Sequence, residues 1–173
     1  MAASSASRKP QRVLVVGASG QIGQPVTLSL ASEGHTVFAL VRPSSRDKNA
    51  GVYGTLEKAG VQLVEGDISK LESLQAAFAR LHPVEVVVSA VAGPQVLEQT
   101  NLIKVISKAG TVTRFLPSEY SVDIPRARAE LPFLTEPRLK ILDEIKAAGI
   151  PFTIIASNGF LEDWFAGNLG WAA

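Results

Sequence analysis

The sequence predicts an α/β fold, a doubly wound parallel sheet of about six strands in one domain, and three observations carry that expectation. Short runs of β-branched and Leu residues alternate along the chain with segments of helical periodicity, the pattern of βαβ units. The first run, Val13 to Val16, is apolar at every position, which suits a strand buried on both faces of a parallel sheet. With 173 residues, 46% of them hydrophobic, the chain can bury one sizeable core and has little left for a second.

Taken in order, residues 1–11 are small, polar and basic and lack the apolar centre of a secretory signal, so they are expected to form a disordered leader, short for plastid targeting. The domain then spans 12–173. Strands are expected at 13–17, 36–42, 61–65, 84–91, 111–116 and 152–156. The first helix begins near Gln21, carries Ile22, Val26 and Leu30 on one face, and stops at Gly34. Segment 47–59 carries Gly51 and Gly54, which weaken its helix. Leu71, Leu74, Phe78 and Leu81 fall at helical spacing behind Ser69-Lys70-Leu71-Glu72, which has the form of a capping box. Leu102, Val105, Ile106 and Ala109 make another apolar face that ends at Gly110. A last helix is expected after Thr135, with Pro137 in its first turn and Gly149 as its stop.

The most informative stretch is VLVVGASGQIG, residues 13–23. A strand that breaks into glycines and opens a helix is how a dinucleotide pyrophosphate is held. One glycine makes the tight turn, one lets backbone approach the phosphates, and one lets helix and strand pack closely. The helix then aims its N-terminal N–H groups and positive dipole end at the anion. Here the spacing is G-x-x-G-x-x-G, and Gly17, Ser19, Gly20, Gln21, Ile22 and Gly23 are the candidate contacts. At the end of the second strand an acidic residue would select NAD, whereas an arginine accommodates the extra phosphate of NADP. That strand ends on Arg42, with Arg46 and Lys48 close behind, so NADPH is the expected cofactor. Asp67, after the third strand, has two readings, an acceptor for the adenine amine or a cap for the next helix.

Other function classes find less support. A net charge of +1 without a basic, aromatic-interleaved stripe gives no reason to expect nucleic acid, and no apolar run is long enough to span a membrane. With no cysteine there is no disulfide or thiolate chemistry, which fits a cytoplasmic location, and no cluster has metal-ligand spacing. Tyr-x-x-x-Lys, the usual proton-passing pair of short-chain dehydrogenases, is missing: Tyr53 is followed four residues on by Glu57, and Tyr120 by Ile124. His35 and His82 each precede a strand, where a loop or packing role is expected.

GASGQIG, VRPSS, VVVSAVAG, RFLPSEYSVD and GIPFTIIASNGF occur in one order between Arg12 and Phe165. In this the chain resembles the isoflavone reductase-like proteins of the NmrA-like, atypical short-chain dehydrogenase group. That group includes phenylcoumaran benzylic ether, pinoresinol–lariciresinol and leucoanthocyanidin reductases and eugenol synthase. The resemblance implies an NADPH-dependent reductase acting on a small aromatic, phenylpropanoid-like substrate. It also implies that Ser89, Ala90, Val91 and Ala92, with Pro117, Ser118 and Glu119, line the cofactor cleft.

Two departures from the family pattern bear on activity. The family's catalytic lysine, counted back from Gly149, falls on Arg138, which can stabilise an oxyanion but stays protonated. Lys140 lies about 200° further round the helix and replaces it only if the register shifts. Arg138 as an ordinary surface residue is the alternative, although a cation in a first helical turn opposes the dipole. Secondly, members continue beyond the SNGF segment to close a substrate pocket, so the substrate domain is expected to be largely absent from this chain. Phe160, Leu161, Trp164 and Phe165 would wall that pocket in a longer member; in this chain the alternatives are that they fold back on the core or serve self-association or a protein partner. A non-catalytic NADP(H) sensor and an inactive truncated product are therefore the rival readings.

Overall fold

A computed structural model describes residues 9–157. Its sheet has five parallel strands, β1 (Arg12–Val16), β2 (Thr36–Val41), β3 (Gln62–Glu65), β4 (Val86–Ser89) and β5 (Arg114–Leu116), in the order β3-β2-β1-β4-β5. Six α-helices accompany them: α1 (Gly23–Ser32), α2 (Pro43–Arg46), α3 (Ala50–Lys58), α4 (Leu71–Leu81), α5 (Gln99–Ala109) and α6 (Pro132–Ala147). None is long and apolar enough to cross a membrane. Strand order reverses between β1 and β4, which pair from Val13↔Val86 to Val16↔Ser89. A crevice at the carboxyl ends of these two strands is where open α/β sheets bind ligands.

Alternation along β1 explains why its run is apolar throughout. Leu14 and Val16 join Phe38, Leu40, Val87 and Phe115 in a core layer closed by Leu74, Phe78, Leu102, Ile106, Ile141 and Ile145 of α4, α5 and α6. Val13 and Val15 point the other way, joining Val37, Ala39, Val41, Val86 and Val88 under Val26, Leu30, Tyr53 and Leu56 of α1 and α3. The sheet is covered on both faces, as the sequence predicts.

Three expectations are corrected. The sixth strand, 152–156, is reduced to a single bridge from Phe152 to Phe115, so the sheet has five strands among the described residues. The capping box does not form. Lys70 is the N-cap of α4 and makes no side-chain cap bond, while the Ser69 hydroxyl turns back to donate to Asp67 Oδ1 at 2.8 Å. Asp67 wins that hydroxyl because it also accepts the Ser69 N–H at 3.0 Å, a local turn that competes with the cap. Thirdly, α6 starts at Pro132 rather than after Thr135. Leu131 is its N-cap, and the buried Thr135 hydroxyl donates to Leu131 O at 3.0 Å from inside the helix. Pro132 takes the first helical position instead, and Pro137 is carried in the interior. Gly110 and Gly149 end their helices as expected, at φ +65° and +64°. Residues 1–8 of the leader and Phe160, Leu161, Trp164 and Phe165 lie outside the described residues.

A cleft at the carboxyl edge of the sheet

The glycines of the first turn have separable duties. Gly17 sits at φ +82°, and a Cβ there would overlap the carbonyl of Ala90. At Gly23 a Cβ would overlap the carbonyl of Gly17, so β-carbon-free contact is what lets α1 dock on the turn. Gly20 is different. It is exposed, and the nearest protein atom to a Cβ there would be Gly17 O at 3.3 Å, so internal packing alone does not account for its lack of a side chain. A loop that leaves this position open to solvent at the start of a ten-residue helix fits a pyrophosphate approaching backbone. Gln21 and Ile22 lead into that helix, with Ile22 as its N-cap.

Gly17, Ser19, Arg42, Tyr53, Ile68, Val91 and Gln95 line one cleft together. Arg42, at the end of β2, is exposed and caps the start of α2 with an extended backbone. Its neighbours in sequence behave differently from expectation. Arg46 and Lys48 are exposed and are not among the cleft-lining residues, whose places are taken by Ser45 and Asn49. Helical spacing is the reason. The Asn49 N–H donates to Ser45 O at 3.1 Å, so the turn continues through positions 42, 45 and 49 on one side and sends 46 and 48 elsewhere. Tyr53 extends the same side, its hydroxyl 3.3 Å from both Ser45 Oγ and Ser19 Oγ. That i, i+4, i+8 row of Ser45, Asn49 and Tyr53 was readable in the sequence as polar residues at helical spacing.

On the other side of the crevice, Ala90 donates its N–H to Val16 O at 2.8 Å, binding the end of β4 to the glycine turn. Ser89 is fully buried and its Oγ has no hydrogen-bond partner. Val91 lines the cleft and Ala92 is exposed at the start of a 3-10 turn, Gly93–Val96. Pro117, Ser118 and Glu119 form a buried turn after β5. Ser118 donates its hydroxyl to Val91 O and its N–H to Gln99 Oε1 at 2.9 Å, while Gln99 Nε2 donates to Val96 O at 3.0 Å. Gln99 is wholly buried, and through it the 3-10 turn, α5 and the Pro117–Glu119 turn are tied into one unit. The sequence reading missed Gln99, because a lone Gln on an amphipathic helix carries no pattern.

Glu119 and Arg138 come together behind that turn. Glu119 is 0% exposed, neither carboxyl oxygen has a hydrogen-bond partner, and Arg138 Nε lies 4.0 Å from Oε2. Burial pushes the Glu119 carboxyl up to about 7, against the opposing pull of the Arg138 charge. The Arg138 guanidinium is only partly buried and donates to Leu134 O at 3.0 Å. With α6 starting at Pro132, Arg138 stands in the second turn, so the helix dipole gives no argument about it. Lys140 is exposed and lines a surface groove with Arg128, Glu136 and Asp143. Asp67 stays below the ordinary carboxylate range. Burial raises it, but the Ser69 bonds and the charges of Arg42 and Lys70 outweigh that. His35 has a packing role, its Nδ1 accepting the Gln11 N–H at 3.1 Å.

The NmrA-like family model matches residues 9–169. An isoflavone reductase homolog of Nicotiana tabacum is 40% identical over 163 residues, covering 92% of this chain and 51% of that protein. A phenylcoumaran benzylic ether reductase of Ginkgo biloba is 37% identical, over 92% of this chain and 52% of its own. Among solved structures, AtPrR2 with NADP+ and (+)pinoresinol superposes with a TM-score of 0.82 at 32% identity, over 96% of this chain and 55% of that one. The leucoanthocyanidin reductase–NADPH complex of Vitis vinifera gives 0.79 at 33% identity, over 86% and 50%. The chain thus spans about half the length of the relatives it matches. The glycine turn and the β2-end arginine line one cleft, Pro117, Ser118 and Glu119 are not among its lining residues, and with these relatives the chain belongs to the NmrA-like family.

Proposed function

We propose that the chain is the NADPH-binding part of an isoflavone reductase-like oxidoreductase acting on small aromatic, phenylpropanoid-like substrates. The observation that carries this reading is Arg42. It faces the cleft from the end of β2, where an acidic residue would repel a 2′-phosphate, and the guanidinium fork suits that phosphate's oxygens. The glycine turn, with Ser19, Gly20, Gln21, Ile22 and Gly23, would hold the pyrophosphate. Ser89 to Ala92 and Pro117 to Glu119 would wall the crevice beyond it. Ser45, Asn49 and Tyr53 join the adenosine end in place of Arg46 and Lys48.

NADPH, when bound, supplies a hydride, and the protein supplies geometry and electrostatics. Arg138 carries a guanidinium, a set of donors with no acceptor, and can stabilise an anionic oxygen. Glu119 beside it, neutral for part of the population near pH 7, is a group that can hold or release a proton where Arg138 cannot. The rival reading, an NADP(H) sensor without turnover, draws support from Arg138, whose guanidinium is already engaged by Leu134 O.

Titration of NADPH and NADH against the chain and against Arg42→Ala tests the proposal. NADPH should bind more tightly to the unmodified chain, and Arg42→Ala should remove most of the difference, roughly tenfold or more for a lost charge-assisted pair. Equal affinities for the unmodified chain would overturn the assignment.

A further inference from the structure

The Arg42 side chain does not stand alone over the cleft. Gln95, which lines the same cleft from the opposite wall, has its amide oxygen 2.6 Å from Arg42 Nη1 and 3.2 Å from Nη2 when the amide is oriented to give each atom a complementary partner. A single oxygen taking both Nη groups occupies the end of the guanidinium. The Nε–Nη side edge remains, and it is the second of the two edges that can grip a phosphate bidentately.

Gln95 is also placed more firmly than an ordinary loop residue. Its N–H donates to Ala92 O at 3.3 Å, and its carbonyl accepts from the Glu98 N–H at 3.1 Å. The following residue, Val96, is buried and accepts from the buried Gln99 amide. The wall that carries Gln95 is thereby pinned to α5 and, through Ser118, to the turn after β5. Arg42, by contrast, is exposed, and an unsupported arginine would lose considerable rotamer freedom on gripping a ligand.

We infer that Gln95 is a specificity-determining residue: it acts through Arg42, holding the end of the guanidinium so that the side edge is presented to the 2′-phosphate of an adenosine ligand. The inference rests on the nucleotide reading above. Asp67, whose carboxyl feels the Arg42 charge, is a charged neighbour of this arginine and supplies no cation of its own.

The probes are 2′,5′-ADP and 5′-AMP, which differ only in the 2′-phosphate and involve no hydride chemistry. Their dissociation constants are measured by calorimetry for the unmodified chain, Gln95→Ala, Gln95→Asn and Arg42→Ala. Expected is a preference for 2′,5′-ADP that falls roughly three- to tenfold in Gln95→Ala. Gln95→Asn, one methylene too short to reach, should fall equally, and in both variants the loss of affinity for 2′,5′-ADP should exceed any change for 5′-AMP. Arg42→Ala sets the floor. An unchanged preference in Gln95→Ala would make the contact incidental, and a raised one would show that Gln95 competes with the phosphate; either result overturns the inference. If the unmodified chain binds neither probe, or both equally, the nucleotide reading itself fails and the inference falls with it.

Discussion

Glu119→Gln should stabilise the protein at alkaline pH and leave it unchanged at acid pH. The folded-state carboxyl titrates near 7, raised by burial from an ordinary value of 4.5. Because the folded value lies above the unfolded one, the unfolded chain releases this proton first as pH rises. Stability present below about pH 4.5 is therefore lost progressively up to about pH 7 and stays lost above it. A difference of about 2.5 pH units corresponds to about 3 kcal/mol, taken as an order of magnitude. Glutamine has nearly the same shape and no titration, so the variant escapes this loss. The assay is urea unfolding of both proteins at a series of pH values from acid to alkaline. Subtracting the two curves removes every other titrating group. The variant-minus-parent stability should be close to zero at the acid end and rise by about 3 kcal/mol across the window. A flat difference, or one that grows toward acid, would refute the reasoning and mean that Arg138 at 4.0 Å holds the carboxylate ionised.

Two further outcomes follow from the geometry of the turn. Gly23→Ala places a Cβ on the Gly17 carbonyl, backbone against backbone, and should cost about 3 kcal/mol or more in chemical denaturation, whereas Gly20→Ala should cost under about 1 kcal/mol yet weaken NADPH binding. Equal destabilisation by the two changes would contradict their separate duties. Gln99→Leu leaves the buried Ser118 N–H without its acceptor and should cost about 1–3 kcal/mol, with faster amide exchange in both the Gly93–Val96 and Pro117–Glu119 segments; exchange confined to one of them would show that they are not coupled through Gln99.

Local chemistry was enough to place the sheet and its glycine turn. The inner residues of β1, β2 and β4 (13–16, 37–41 and 86–88) are apolar because both faces of these strands are buried, and such runs announce themselves without any partner being known. Gly17, Gly34, Gly110 and Gly149 were legible for the same kind of reason, since each answers to its own φ. Arg42 was legible because its place is counted along the chain from the end of a strand. What the sequence alone misjudged were the cases in which two nearby solutions compete. Ser69 bonds Asp67 instead of capping a helix, α6 starts at Pro132 rather than just before Pro137, and 152–156 has strand composition but makes only one bridge. The rest was decided by distance across the fold. Residues 42 and 95 meet over the cleft, 99 and 118 share a hydrogen bond, and 119 and 138 share a buried charge site. These pairs carry no periodicity, because their contact energy depends on where the sheet order brings the strand ends, and that order is a property of the packed whole.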